Sequence, residues 1–163
     1  MLLMLLGCIV MRSNVAYESV SGENRVHISE TMRLMNILGP KLHLELAPGN
    51  QAPIQQIALG GDISLSPFVL PLIEEWEISD PMHQAIFSSG IGANIFHFQD
   101  DEEGIKFGIL SPYIQLHTPS LCLDGQEFLC FTAYGEYQYQ IFWAHRNEHR
   151  WQLGLSMHYM YIE

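Results

Sequence analysis

Apolar and polar residues alternate with a period of two along much of the chain, most clearly between Asn94 and Glu163. In Tyr137–Ala144, the residues Tyr137, Tyr139, Ile141 and Trp143 alternate with Gln138, Gln140, Phe142 and Ala144. In Trp151–Ile162 the stripe is Trp151, Leu153, Leu155, Met157, Tyr159 and Tyr161. Side chains of a strand point to opposite faces in turn, so each run lays one continuous apolar stripe on a sheet. Burying each large apolar side chain is worth about 1.5–3 kcal/mol before entropy is subtracted, so the stripes read as core. The alternating segments Cys8–Val20, Lys41–Leu46, Ile54–Leu59 and Asp62–Leu65 predict further strands.

Face matching predicts register, because a one-residue slip turns a strand inside out. Between Ala93–Gln99 and Ile105–Leu110 it pairs Phe98 with Phe107 and Phe96 with Ile109. Asp101–Gly104 then forms the loop, with Gly104 free to take a left-handed backbone. In the last hairpin it sets Trp143 against Leu153 and Tyr139 against Met157, around a turn near Arg146–His149.

Helix signals interrupt the strands. Ser29-Glu30 can open a short helix through Met32, Leu34, Met35 and Leu38, stopped by Gly39-Pro40. Pro71 suits a first helical turn followed by Leu72, Ile73 and Trp76. Ser79-Asp80-Pro81 is a capping residue followed by proline, predicting a second helix to about Ser88 that ends at Gly90. The expected fold is therefore α+β. It is a single domain over 1–163, mostly antiparallel sheet, with two or three short helices, the main ones at about 71–88.

Charge alters the functional picture more than the structural one. Eighteen acidic and seven basic residues give a formal net charge of −11. That balance works against nucleic acid, whose affinity comes largely from Lys and Arg meeting phosphates, and favours a basic protein partner. Asp100, Asp101, Glu102 and Glu103 form an acidic hairpin tip, and Glu74, Glu75 and Glu77 a second acidic run. These seven are the candidate partner-binding residues. The tip lacks the staggered oxygen ligands and distal bidentate Glu of a calcium loop.

Three cysteines match no zinc motif. Asp124-Gly125 signals a two-residue turn that sets Cys122 opposite Glu127 and sends Cys122 and Cys130 to opposite faces. All three thiols are then expected to be free, which fits a cytoplasmic address. The alternative address comes from Leu5-Leu6-Gly7-Cys8, which resembles a bacterial lipoprotein box with Cys8 as the lipidated residue. It departs from that pattern in having no Lys or Arg before a short apolar run. Met1–Met11 is too short for a membrane-spanning helix, which needs about 20 residues, so no stable membrane span is expected.

No catalytic constellation is visible. His145 and His149 stand four apart across an expected hairpin instead of along a helix, so no metal is assigned to them. His43, His97 and His117 alternate with apolar residues and are expected to face solvent or a groove. Gly90-Ile-Gly92 follows a helix and precedes a strand, the reverse of a phosphate loop. The reading that results is an acidic, non-enzymatic binding protein without cofactor, of inhibitor or immunity type, masking a basic partner. One alternative is a small-molecule site lined by Tyr137, Tyr139, Trp143 and Trp151. Another is an enzyme using His117 or His145 with a carboxylate.

Overall fold

A computed structural model describes residues 8–20, 23–34, 37–48, 54–72, 82, 85–86, 88–101, 104–123, 126–143 and 145–162. The strands are β1 (Cys8–Val20), β2 (Glu23–Leu34), β3 (Leu38–Leu46), β4 (Ile54–Ser64), β5 (Gly90–Asp101), β6 (Gly104–His117), β7 (Leu121–Leu123), β8 (Gln126–Phe142) and β9 (Glu148–Ile162). Each pairs antiparallel with its neighbour in the order β6-β5-β4-β3-β2-β1-β9-β8-β7. A further antiparallel pairing of β6 with β8, from His117↔Tyr134 to Gly108↔Phe142, closes eight of these strands into a barrel. Closure removes the sheet edges that an open meander would leave unpaired. The short β7 stands outside the closed wall, paired only with β8.

The α+β expectation is therefore corrected to a nearly all-β barrel. The expected helix from Ser29 is instead β2, whose last residue, Leu34, pairs with Leu38 of β3. Gly39-Pro40 lies within β3, paired with Asp62 and Gly61. Among the described residues, helical structure is confined to the β4–β5 connection. It comprises α1 (Ser66–Val69), a 3-10 turn at Leu70–Leu72, and helical residues at Met82, Ala85, Ile86 and Ser88. The expected helix start at Ser79-Asp80-Pro81 lies outside the described residues. Local capping signals were present, but period-two pairing over eight strands outweighs them in setting the fold class.

The wall is inside out relative to an ordinary soluble barrel. Each of the eight strands turns large apolar side chains outward: Val15, Met32, Leu42, Ile57, Phe98, Ile114, Phe131 and Leu155 are exposed examples, one per strand. The alternate positions Asn14, Ser29, His43, Gln56, Gln99, Gln115, Gln138 and Ser156 are buried in the lumen. The stripe expected to be core is instead the outer surface, with Trp151 71%, Leu153 76% and Leu155 68% exposed. The polar positions expected to meet solvent fill the interior.

Hairpin registers were partly legible. Phe98 pairs with Phe107, and Asp101 pairs with Gly104, whose φ is 105°. In the last hairpin the pairs are Tyr139↔His149 and Tyr137↔Trp151, so the turn lies nearer Phe142 than expected. The shift is even, which preserves the faces. At the β7–β8 hairpin Leu123 pairs with Gln126, flanking Asp124-Gly125, but a bulge between Cys122 and Leu123 shifts the register. Cys122 then lies opposite Cys130, and the two form a disulfide. The expectation that both thiols are free assumed an unbroken ladder, and the bulge removes that assumption.

Candidate functional site

The two ends of the barrel differ. One rim, where β1 starts and β9 ends, also carries the β2–β3, β4–β5 and β6–β7 connections; the opposite rim carries the β1–β2, β3–β4, β5–β6 and β8–β9 turns. Between the rims, an eight-stranded barrel has an interior just wide enough for side chains to fill. Here the filling is a ladder of ion pairs and hydrogen bonds, several of them between strands that are not neighbours.

At the centre, Lys41 Nζ on β3 donates to Glu136 Oε2 on β8 at 2.6 Å, and lies 3.6 Å from the centroid of the Tyr113 ring. In the closed order β3 and β8 are four strands apart, so this pair spans the lumen. Toward the first rim, Asp62 collects Arg33 Nε at 2.5 Å, Arg12 Nη2 at 3.3 Å and the Tyr113 hydroxyl at 3.0 Å. Gly92 leaves room for Tyr113 there, since a Cβ on Gly92 would fall 2.5 Å from its hydroxyl.

The β4–β5 connection fastens onto this layer. Arg12 donates to the Ser88 carbonyl, and Arg33 Nη2 to the Ser89 carbonyl at 3.4 Å. The His117 backbone N–H donates to Ser89 Oγ at 3.0 Å, and Ser88 Oγ bonds His158 Nδ1 at 3.3 Å. His117 Nδ1 bonds Thr132 Oγ1 at 2.8 Å. The segment around Ser88 and Ser89 is thereby held against the lumen at this rim. Ser88 and His158 lack an acid partner on the second imidazole nitrogen, which instead meets Ser156 Oγ and Thr132 Oγ1. That arrangement orients a side chain and does not activate a nucleophile.

Toward the opposite rim, Glu45 accepts from Arg25 Nη1 at 2.9 Å and from Arg150 Nη1. Arg150 and Gln140 both donate to Gln56 Oε1, at 3.2 and 3.1 Å. His27 and His43 lie beside Glu45, both fully enclosed. His97, on β5, packs edge-on to Phe142 at 4.8 Å and fills the space left by Gly108. Thus His43, His97 and His117 occupy the lumen, not solvent. Six of the seven basic residues (Arg12, Arg25, Arg33, Lys41, Lys106 and Arg150) occupy inward positions of their strands, and Arg146 alone is fully outside.

The sequence candidates fall elsewhere. Asp100 is exposed at the end of β5. The side chains of Asp101, Glu102 and Glu103, and residues Glu74, Glu75 and Glu77, lie outside what the structure describes. Tyr137, Tyr139 and Trp151 gather, but on the outer wall, where Trp143 is also exposed. The Tyr137 and Trp151 rings are 4.5 Å apart, and the Tyr137 hydroxyl bonds His149 Nδ1 at 2.6 Å. They line no lumen cavity. His145 is exposed. The lumen residues were missed by sequence reasoning, although a signal existed. The polar faces of the strands are rich in Gln, Ser, His and Asn, whereas a solvent-facing strand favours Lys and Glu.

The fold and its interior define a class: a closed, up-and-down β-barrel with an apolar exterior and a polar, ion-paired lumen. No family model, curated protein or solved structure matches the chain.

Proposed function

We propose that this chain is a membrane-spanning β-barrel of the outer-membrane type, with its outer wall in lipid and its lumen closed to solute flow. The observation that supports the reading is the inversion of the wall, apolar outside on all eight strands and polar within. An exterior of this kind in water would be one continuous apolar patch, far beyond what soluble monomers expose. In lipid it is the expected solvent-facing surface, and barrel closure satisfies every strand as the bilayer demands.

Other features agree with it. The barrel strands are 9–17 residues long, and a spanning strand needs only about 9–11. No helix among the described residues is long and apolar enough to cross a membrane. Strands cross a bilayer with fewer residues than a helix needs, so this says nothing against a barrel. Tyr17, Tyr137, Tyr139 and Trp151 on β1, β8 and β9, with Trp143 just past the end of β8, lie toward one rim, as an aromatic girdle does at a bilayer interface. The Cys122–Cys130 disulfide suits an oxidising compartment better than the cytoplasm. The Lys41–Glu136 pair across the lumen argues for a closed barrel instead of a pore.

Reconstitution tests the reading. Chain unfolded in urea and diluted into vesicles should gain β structure, and brominated acyl chains should quench Trp143 and Trp151. A chain that folds as a monomer in buffer, with unquenched tryptophans when vesicles are added, would refute it.

Within this reading, partner binding falls to the rims. With six basic residues placed inward, the loops and rims are more acidic than the net charge of −11 implies. That supports contact with a basic partner through the Asp100–Glu103 tip. Reversal by Asp101→Lys and Glu102→Lys should slow association and flatten its salt dependence, since rim charges act on encounter. Equal rates across a salt series for the parent and variant would remove this second reading.

A further inference from the structure

We infer that the lumen holds a site for a divalent first-row transition ion, built by His27, His43 and Glu45 near the rim that carries the β1–β2 and β3–β4 turns. One potential ligand atom from each of the three lies within 4.8 Å of the others. His27 is paired directly with Glu45 across β2 and β3, and His43 stands two residues along the same face of β3. The imidazole rings are 5.6 Å apart, tilted by 31°.

Three observations favour a ligand over a purely structural cluster. First, neither His27 Nδ1 nor His43 Nε2 has a hydrogen-bond partner, although both residues are enclosed. A buried ring nitrogen left without a partner is costly unless something binds it. Second, His27 Nε2 lies 3.0 Å from Glu18 Oε2. A histidine that ligates a metal through one nitrogen commonly donates the other N–H to a carboxylate, which fixes the tautomer and aims the lone pair. Glu18 is in that position and leaves Nδ1 free to ligate. Third, the donor set of two imidazoles and one carboxylate suits zinc and its neighbours, and leaves a fourth position for water.

Glu45 is shared. Arg25 and Arg150 donate to its two oxygens, and Nδ1 of His27 is 3.8 Å from Oε2. A carboxylate has about four acceptor directions, so it can accept two guanidinium bonds and still ligate. The two arginines offset its charge, which lowers the affinity for a cation relative to a free carboxylate. Access is short, because Glu18 and Arg25 are partly exposed at the rim just above His27. The site is distinct from His145 and His149, which lie at the β8–β9 turn on the outside.

The experiment uses the full chain folded in detergent, with zinc as the probe, by equilibrium dialysis and metal analysis. The wild type should bind one equivalent, and His145→Ala/His149→Ala should bind the same. His43→Gln and His27→Gln, which keep a polar group in the lumen, should weaken binding at least tenfold. Glu18→Gln should weaken it by about 10–100-fold through the loss of orientation. X-ray absorption of the zinc-loaded wild type should show two imidazoles and needs no variant to fold. Three results would overturn the site: no stoichiometric zinc, binding lost in the outer double variant, or zinc bound without imidazole. The test does not depend on lipid insertion, so a failure here leaves the membrane reading standing.

Discussion

Lys41 and Glu136 meet at 2.6 Å across the middle of the barrel, joining opposite walls through side chains that are almost wholly buried. Their mutual attraction offsets a desolvation cost of several kcal/mol per ion, and neither is tolerable without the other. Lys41→Met or Glu136→Gln alone should destabilise the barrel by about 3–5 kcal/mol. The double variant Lys41→Met/Glu136→Gln should cost well under the sum of the two single changes. Reversible urea unfolding in a lipid or detergent environment measures all three, and additive losses would show the pair to be independent.

The outer wall offers a sharper test of solvent. Leu155 lies at mid-strand between Val15 and Ala133 and faces outward. Leu155→Arg should cost about 2–4 kcal/mol for a barrel folded in vesicles, the range for a cation near the bilayer midplane. In water the same exposed substitution would be within about 0.5 kcal/mol of neutral. Unfolding free energies in vesicles distinguish the two.

Gly108 gives way to a ring. A Cβ there would fall 1.8 Å from an atom of the His97 imidazole, which itself packs against Phe142. Gly108→Ala should therefore destabilise the barrel by about 1–3 kcal/mol through overpacking. Adding His97→Ala should recover part of the loss, and a loss unchanged by that second substitution would point to another cause.

The disulfide fixes a simple count. With Cys122 and Cys130 joined, the denatured, unreduced protein should show one reactive thiol out of three cysteines. Reduction should raise the count to three. Three thiols before reduction would show that the bulge beside Leu123 does not bring the sulfurs together.

The sequence by itself determined the period. Alternation along Tyr137–Ala144 and Trp151–Ile162 required strands, face matching required the Phe98–Phe107 pair, and Gly104 required a left-handed turn. None of that says which face points inward, because an alternating stripe is identical whether it meets a core or a solvent of lipid. The direction was decided when β6 found β8, since only closure creates an inside. Once closed, the wall turned its polar positions inward, where Lys41, Glu136, His43 and Gln56 are enclosed. The clusters around Asp62 and Glu45 were invisible for the same reason, as each joins residues from three or more strands, some of which meet only across the closed barrel. The Cys122–Cys130 pair depended on one bulge, a local departure from the ladder that alternation does not encode.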